Sequence, residues 1–460
     1  MPLQSKTLYY GTIACSLIST ALYTAAPNTV VATINVGVTP AGIAVTPNNQ
    51  FAYVANNNNY SITGQDSVSV LNLANNTLAT TIFDPSFDEP YTVTINAAGT
   101  KAYVTNSNGT TITIINLVTN TVLQTIPGFN GPSGMVITPD GNFAYVNNYG
   151  ADGASGTGDT VSVVNLNTNA IVNTLTVGLA PASLAITPDG AFVYVINYQN
   201  GNPGTGTISI IQTSNNTVTV DAINGFSGPF AIAITPNGQY AYVTNFGSNN
   251  FAPFGTTVSV VSLATNQIVA TINLDIQPSG IAITPDGRLA YATNYNTLYA
   301  GPGFTNLTAG QGTVNIIDIA TNTAIPPIIA VDQSPDAVAI SPNGEFAYVT
   351  NYTSNTVNVI ALQSFQIAAQ GCQMQDRFLT YIDLINKLTW TASGTSLPVS
   401  YAIYRDAGLT DLAGTVLATE PLVFLDHNRV PNINYTYYIV GTNAVGTTST
   451  PVAVTVTQNC

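Results

Sequence analysis

Short apolar runs alternate with polar turns along most of the chain, in a pattern typical of β-strands. In residues 278–294, PSGIAITPDGRLAYATN, the apolar runs 281–284 and 289–293 flank the tripeptide 285–287, which reads Pro-Asp-Gly. Apolar and β-branched residues favour strands, proline presets φ, and glycine allows a positive φ within a turn. The stretch therefore predicts a β-hairpin.

The same hairpin pattern recurs along the chain. A third apolar run such as 258–261, a polar turn such as 264–266 and a fourth run such as 268–272 follow each hairpin. Four strands per unit, repeated about every 42 to 57 residues, are the signature of a β-propeller blade. We predict an all-β fold with a seven-bladed β-propeller whose hairpins begin at Pro40, Pro90, Pro132, Pro181, Pro229, Pro278 and Pro335.

The second strand of several units ends in Tyr-Val-Thr-Asn, at residues 103–106, 242–245 and 348–351. These units resemble the YVTN-type β-propeller repeat, and the resemblance covers residues 28–370. It implies a rigid seven-bladed disc of a kind often found in secreted or cell-surface proteins and sometimes in surface-layer proteins. It does not imply a single chemistry.

The N-terminal residues 1–26 lie outside the repeat. Lys6 precedes a charge-free apolar stretch, and residues 19–21 offer a small-x-small cleavage site, so we predict a secretory signal peptide and no integral membrane span in the mature chain. An uncleaved anchor and a disordered lead-in are the alternatives. Residues 28–34 match the fourth strand of a blade, and we expect them to complete the last blade of a propeller spanning 27–370.

A different pattern begins at residue 371 and continues to residue 460. The segments 387–390, 401–405 and 434–440 resemble a fibronectin type III domain, an Ig-like β-sandwich. The resemblance implies that Trp390 lies in the core and that a tyrosine near the start of the sixth strand ties a corner. Cys372 and Cys460 stand at the two ends of this domain and predict a disulfide, with two free thiols as the alternative.

Charged residues make up only 6% of the chain, and the net charge is −14. This composition argues against a nucleic-acid-binding protein, which needs a basic stripe to hold phosphates. A surface built from Asn, Thr, Ser and Gly suits an extracellular β protein. We therefore predict a secreted or cell-surface location, with peripheral or envelope association open.

Strand direction places the loops that follow each second strand together at one end of the propeller, which we call the long-loop face. These loops, such as 57–66 and 295–312, vary in length, whereas the turns on the opposite face are short and repetitive. Variable loops on a rigid framework are where binding usually resides. The candidate ligand-binding residues are the signature asparagines and the aromatics that follow them: Asn148, Tyr149, Asn197, Tyr198, Asn245, Phe246, Asn294, Tyr295, Asn351 and Tyr352.

Aromatic rings and amides suit a neutral glycan or a protein surface, because stacking and hydrogen bonding need no net charge. Packing between blades is the alternative reason for such residues to recur. No cofactor is predicted. Ca²⁺ remains open because carboxylates gather in the connections of the long-loop face, namely Asp84, Asp88, Glu89, Asp152, Asp159, Asp275, Asp332 and Asp336.

The single histidine of the chain, His427, lies in the C-terminal segment, so the propeller cannot contain a Ser-His-Asp triad. Lactonases acting on sugar phosphates share this repeat type, but phosphate recognition generally needs Arg or Lys. The propeller has only Lys101 and Arg288, both predicted beside the opposite face. Asp88 and Glu89 are the candidate acid and base of a lactonase-like hydrolase.

These observations favour a secreted or surface-displayed, non-catalytic protein that binds an extracellular protein or glycan through the long-loop face. A structural surface-layer or envelope protein is one alternative. A lactonase-like hydrolase is the other.

Overall fold

The computed structural model describes residues 28–58, 66–150, 157–199, 205–247, 254–296, 311–362, 366–377, 382–393, 398, 400–427, 429–430, 433–442 and 451–456. Within these ranges every regular element is a β-strand. The first, β1 (Thr29–Asn35), is followed by the strands of blade 1, β2 (Pro40–Val45), β3 (Phe51–Asn56), β4 (Ser67–Asn72) and β5 (Thr77–Phe83).

Each of the next five blades likewise contains four consecutive antiparallel strands. Blades 2 and 3 are β6 (Pro90–Ile95), β7 (Lys101–Asn106), β8 (Thr111–Asn116), β9 (Thr121–Pro127), β10 (Pro132–Ile137), β11 (Phe143–Asn148), β12 (Thr160–Asn165) and β13 (Ala170–Thr176). Blades 4 and 5 are β14 (Pro181–Ile186), β15 (Phe192–Asn197), β16 (Gly206–Gln212), β17 (Thr217–Phe226), β18 (Pro229–Ile234), β19 (Tyr240–Gly247), β20 (Phe254–Ser262) and β21 (Gln267–Asn273). Blade 6 is β22 (Pro278–Ile283), β23 (Leu289–Asn294), β24 (Gln311–Asp318) and β25 (Thr323–Gln333).

Blade 7 combines the two ends of the propeller. Its inner strands β26 (Pro335–Ile340), β27 (Phe346–Asn351) and β28 (Thr356–Ala361) are completed by β1, which pairs antiparallel with β28. Strand β2 of blade 1 also packs against β26 of blade 7. The predicted closure of the ring by the N-terminal strand is therefore confirmed, and the fold is a seven-bladed β-propeller.

The tyrosine of each repeat packs between adjacent blades. Tyr145, Tyr242 and Tyr291 are at most 2% exposed. The Tyr291 hydroxyl donates to the Asn28 side chain of blade 7 at 2.8 Å, and Tyr145 and Tyr194 make the same contact with the next blade. The accepting asparagines have φ between 53° and 57° at the turn before each fourth strand, a conformation that asparagine adopts more readily than most residues. Blades are thus joined by both apolar packing and hydrogen bonds.

Residues Ala25–Leu362 form one compact unit, and a second unit includes Gln363–Cys460. The second unit has one sheet of β29 (Gln366–Arg377), β30 (Ile382–Ser393) and β33 (Val423–Asp426), and another of β32 (Leu412–Leu417), β31 (Ser400–Tyr404), β34 (Tyr435–Thr442) and β35 (Val452–Val456). Side chains from both sheets share one apolar cluster that includes Trp390, so the unit is a β-sandwich. The hydroxyl of Tyr435, at the start of β34, accepts a hydrogen bond from the Val430 backbone N–H at 3.0 Å, as in a tyrosine corner.

Two predictions fall outside the described residues. The signal peptide was assigned to residues 1–26, and the predicted disulfide of Cys372 requires Cys460, which is not described. Both remain predictions. Across the residues that the structure describes, no helix is long and apolar enough to cross a membrane.

Candidate functional site at the mouth of the central channel

One arrangement recurs in all seven blades at the long-loop face. The proline that begins each innermost strand pairs with the asparagine that ends the second strand, as Pro335 does with Asn351. The residue that follows this asparagine donates its backbone N–H to the carbonyl of the residue before the proline, as Tyr352 does to Ser334 at 2.8 Å. The residues before the prolines have φ between 47° and 57°. We call this ring of innermost-strand starts and second-strand ends the channel mouth.

The signature asparagines at the channel mouth serve the blades themselves. All seven are at most 3% exposed. Each donates its amide hydrogens to two side chains of the third strand at 2.7 to 3.1 Å, as Asn245 does to Thr257 and Ser259. Because both donor hydrogens are used inside the blade, Asn148, Asn197, Asn245, Asn294 and Asn351 act as clamps between strands two and three.

The five aromatic candidates fall into two groups. Tyr198 and Phe246 are about 5% exposed, and the Tyr198 hydroxyl donates to the Gly247 carbonyl at 2.9 Å. Their position matches the alternative of packing between blades. Tyr149, Tyr295 and Tyr352 are half-buried residues at the channel mouth.

A continuous line of rings crosses three neighbouring blades. The Phe230 and Phe246 centroids are 5.2 Å apart, those of Phe246 and Tyr295 are 6.0 Å apart, and those of Tyr295 and Tyr352 are 6.4 Å apart. These separations lie in the range of attractive aromatic pairs. We call this row of four rings the ring line; Phe246 is its buried member and the other three side chains are half-buried.

The position after each proline sets what the innermost strands present at the channel mouth. Four blades have a small residue there, namely Ala41, Ser133, Ala182 and Ser279. The other three blades have Tyr91, Phe230 and Asp336, and all three side chains are half-buried. Large side chains therefore enter the mouth from blades 2, 5 and 7.

Asp336 lies among phenol groups from both sides of the ring. Burial raises the pKa of its carboxyl to about 7. Burial also raises the pKa of Tyr91, with further contributions from Asp336, Tyr149, Tyr352 and Tyr295. Blades 2 and 6 are not neighbours in a ring of seven, so Tyr91 and Tyr295 can interact only across the channel.

The hydroxyl of Tyr295 is fixed by neighbouring polar side chains. Burial, followed by the charge of Asp336, raises the pKa of Tyr295 to about 12, while hydrogen bonds with Ser334 and Thr353 oppose the shift. Burial is also the largest cause of the raised pKa of Tyr352, and Asp336 adds to it. Both phenols therefore stay protonated at neutral pH and can donate hydrogen bonds to a ligand.

Other carboxylates of this face are engaged within the protein. Asp275 accepts from the Thr313 hydroxyl at 2.8 Å, and Asp332 accepts from the Thr356 hydroxyl at 2.6 Å. Asp84 accepts from the Ser86 backbone N–H at 2.9 Å, whereas Asp159 is exposed and Asp152 is not described. In the described part of the chain, no three His, Cys, Asp or Glu side chains are grouped so that they could hold a metal ion.

Asp88 and Glu89, the pair proposed for a hydrolase, lie in different surroundings. The exposed Asp88 carboxylate is 3.4 Å from the Asn108 amide nitrogen. Glu89 is half-buried and directly precedes the proline that begins β6, and its charge adds to the raised pKa of Tyr352. Lys101 begins β7 and Arg288 directly precedes β23, so both lie about one strand length or roughly 17 Å from the mouth.

The sequence analysis did not single out two of the largest side chains at the channel mouth. Tyr91 and Phe230 were not identified as candidates. Their signal was available, because the residue after the proline is Ala or Ser in four repeats and changes to Tyr, Phe or Asp in the others. A change from the usual small residue at this position therefore indicates a large side chain at the channel mouth.

Comparisons with known proteins agree with the fold. Residues 204–365 match the family described as lactonase, 7-bladed beta-propeller. The PE-PGRS family protein PE_PGRS18 of Mycobacterium tuberculosis is 45% identical over 60 residues, which cover 13% of this chain and 13% of that protein. The seven-bladed beta-propeller protein Rv1057 of the same organism is 33% identical over 116 residues, covering 25% of this chain and 28% of that protein. The chain thus covers less than a third of each of these relatives.

A solved structure extends the likeness over more of the chain. The hydrazine synthase of Kuenenia stuttgartiensis superposes with a TM-score of 0.58 at 19% identity, covering 71% of this chain and 96% of that chain. At this identity the likeness concerns the fold alone. The comparisons and the seven sheets together define the class: a seven-bladed β-propeller protein.

Proposed function

We propose that this protein is a secreted or surface-displayed binding protein that holds a carbohydrate ligand at the channel mouth without chemical turnover. The observation that carries the proposal is the ring line, in which the half-buried rings of Phe230, Tyr295 and Tyr352 are connected across three blades through the buried ring of Phe246. Sugar rings present apolar C–H faces that stack on aromatic rings. The phenol hydroxyls donate the hydrogen bonds that orient a polar ligand.

The proposed site is rigid before any ligand arrives. The residue after each signature asparagine donates its backbone N–H to the residue before the innermost strand of the same blade, and the asparagine itself donates to the third strand. A rigid site loses little side-chain entropy on binding. This property suits a protein that binds weakly interacting neutral sugars.

The test is binding of the full-length protein to an array of glycans and extracellular proteins, followed by calorimetry with each hit. Tyr295→Ala and Tyr352→Ala should each weaken glycan binding about tenfold, because each removes a stacking face and a hydroxyl. Phe192→Ala is the matched control. Phe192 is 38% exposed and begins its second strand at the opposite face, so its removal should leave binding unchanged.

Unchanged glycan affinity in both tyrosine variants would refute a site on the ring line. Saturable binding of an extracellular protein with no glycan hit would replace the carbohydrate by a protein partner on the same face.

Lactone hydrolysis is the second candidate, favoured by the lactonase family match over residues 204–365, which includes Asp336. A carboxyl group with a pKa of about 7 has the protonation behaviour of a general base near neutral pH. In such a reaction Asp336 would take a proton from water as the water oxygen attacks the lactone carbonyl, and it would return that proton to the ring oxygen as the ring C–O bond breaks, giving the open hydroxy acid. Acid release from a panel of lactones, lost in Asp336→Asn, would support this candidate. The binding proposal expects no turnover in either protein.

A further inference from the structure

The half-buried rings of the ring line lie in three consecutive blades. Phe230 belongs to blade 5, Tyr295 follows the second strand of blade 6, and Tyr352 follows the second strand of blade 7. The steps between neighbouring ring centroids are 5.2, 6.0 and 6.4 Å, with Phe246 as the buried link. A sugar ring is similar in size to one six-membered aromatic ring. A single sugar residue therefore covers only one of the three half-buried rings.

The backbone fixes the spacing of this row. Phe246, Tyr295 and Tyr352 each follow the signature asparagine of their blade, and each donates its backbone N–H to the residue before the innermost strand of that blade, at 2.8 or 2.9 Å. The same hydrogen bond in three consecutive blades gives each ring the same relation to its blade. The row is thus set by the propeller framework, and a ligand meets it already formed.

The row has an end on each side. In blade 1 the position of Tyr352 is occupied by Asn57, which has no ring and is 6% exposed. In blade 4 the equivalent residue is Tyr198, which is 5% exposed and donates its hydroxyl to the Gly247 carbonyl. The ring line therefore offers three half-buried rings to a ligand, those of blades 5, 6 and 7.

The rings of the row are tilted against one another. The interplanar angle is 31° between Phe230 and Phe246, 65° between Phe246 and Tyr295, and 50° between Tyr295 and Tyr352. The flat face of a crystalline polysaccharide requires coplanar rings. Tilted rings instead match a single chain, whose sugar residues rotate about their glycosidic bonds.

The charge of the long-loop face disfavours acidic glycans. Lys101 and Arg288 are the only basic residues between positions 25 and 362, and both lie about one strand length from the mouth. None of the seven loops that follow the second strands contains Lys, Arg or His in its sequence. Asp88 is exposed at this face, and a sulfate or uronic acid would add a further negative charge beside it without a cationic partner. An uncharged ligand avoids this repulsion.

We propose that the ring line binds a single uncharged oligosaccharide chain of at least three sugar residues, which lies along blades 5 to 7 and stacks on Phe230, Tyr295 and Tyr352. The assignment rests on the proposed carbohydrate-binding function and specifies the length, the form and the charge of the ligand.

Calorimetry of the full-length protein with a ladder of ligand lengths tests the proposal. The probes are β-1,4-linked glucose and N-acetylglucosamine oligosaccharides of two to six residues. In at least one series, affinity should rise about three- to tenfold for each added residue up to about four residues, because each stacked residue contributes separately. Longer chains should gain less than about twofold, because the row has ended.

Phe230→Ala tests the end of the row. A disaccharide fits against Tyr295 and Tyr352, whose centroids are 6.4 Å apart, so its affinity should stay within about twofold of the wild-type value. Binding of the tetrasaccharide should weaken about fivefold. Retained disaccharide binding also shows that the variant is folded at the site. Phe143→Ala is the matched control, because Phe143 is 37% exposed and begins β11 at the opposite face, and it should leave the whole ladder unchanged.

The glucose tetrasaccharide oxidised at C6 to uronic acids tests the charge, because its length and linkage are unchanged. It should bind at least about tenfold more weakly than the neutral tetrasaccharide at neutral pH. Equal affinity of the two would overturn the requirement for an uncharged chain.

The outcomes separate this proposal from the carbohydrate-binding function. Equal affinity at all lengths, or an equal loss of disaccharide and tetrasaccharide binding in Phe230→Ala, overturns the extended chain and leaves carbohydrate binding standing. Absence of binding in both series overturns this proposal, and a glycan array without hits then counts against carbohydrate binding as well.

Discussion

At the residue scale, the carboxyl group of Asp336 couples the stability of the propeller to pH. Its pKa of about 7 in the folded protein lies above the value of about 3.9 expected in the unfolded chain. Between these values the folded protein holds a proton that the unfolded chain has lost, so the free energy of unfolding falls as pH rises through this window. Above about pH 7 and below about pH 4 this contribution no longer changes.

Asp336→Asn removes this titration, and we expect the variant to gain stability relative to the wild-type protein as pH rises from about 4 to about 7. The facing groups Tyr91, Tyr149, Tyr295 and Tyr352 have raised pKa values, so they do not titrate in this window. Paired thermal melts across the window measure the difference. A constant difference in melting temperature would contradict the raised pKa.

The sequence predicts the burial of individual side chains better than it predicts their partners. The burial of the repeated tyrosines follows from the pattern, because a ring in every second strand needs a neighbouring blade to cover it. The partner of each hydroxyl does not follow, because Tyr291 and Asn28 are 263 positions apart and meet only when the ring closes. Asp336 was recognised as one of several acids of the long-loop face, but only the fold shows that Tyr91 lies opposite it.

At the scale of elements, the N-terminal strand β1 holds the ring closed. It covers the edge of β28, Asn358 donates to the Thr33 hydroxyl at 2.8 Å, and Asn28 accepts the hydroxyl of Tyr291. The sequence predicts this role because residues 28–34 match a fourth strand with no other strands before them. An unpaired fourth strand and a blade lacking one complete each other.

Removal of residues 28–35 should lower the melting temperature of the propeller by about 5 °C or more, because it exposes the edge of β28 and the apolar side chains beneath β1. A synthetic peptide of residues 28–35 added in excess should restore part of the loss. A peptide of the same composition in scrambled order is the control. Equal stability of the shortened and complete proteins would show that β1 does not hold the ring.

The outermost strands contain a feature that the repeat pattern does not reveal. Each pairs with its third strand through a register shift, as at Val260/Val261 in blade 5 and Val163/Val164 in blade 3. Val269 is the extra residue of the shift in blade 5 and is 53% exposed. A bulge does not change the pattern of a short alternating run in a recognisable way, so the sequence predicts the strand but not the register shift within it.

At the scale of the whole molecule, these bulges affect whether the protein associates with other copies of itself. The outermost strands form the free edges of the blades, and β5, β9, β13 and β21 contain no charged residue. Uncharged edges favour pairing with another chain, whereas bulges twist an edge out of pairing geometry. We therefore expect the protein to be monomeric in solution, in contrast to the structural surface-layer alternative, which requires ordered assemblies.

Deletion of Val269 should straighten the edge of blade 5, because Ile268 and Ala270, which pair with the consecutive residues Val261 and Val260 of β20, would then also be consecutive in β21. We expect concentration-dependent association of this variant, measured by light scattering on a sizing column. Val269→Ala retains the extra residue and should remain monomeric, which separates the bulge from the exposed side chain. Sheets or filaments formed by the wild-type protein itself would contradict the protective role of the bulges and favour the surface-layer alternative.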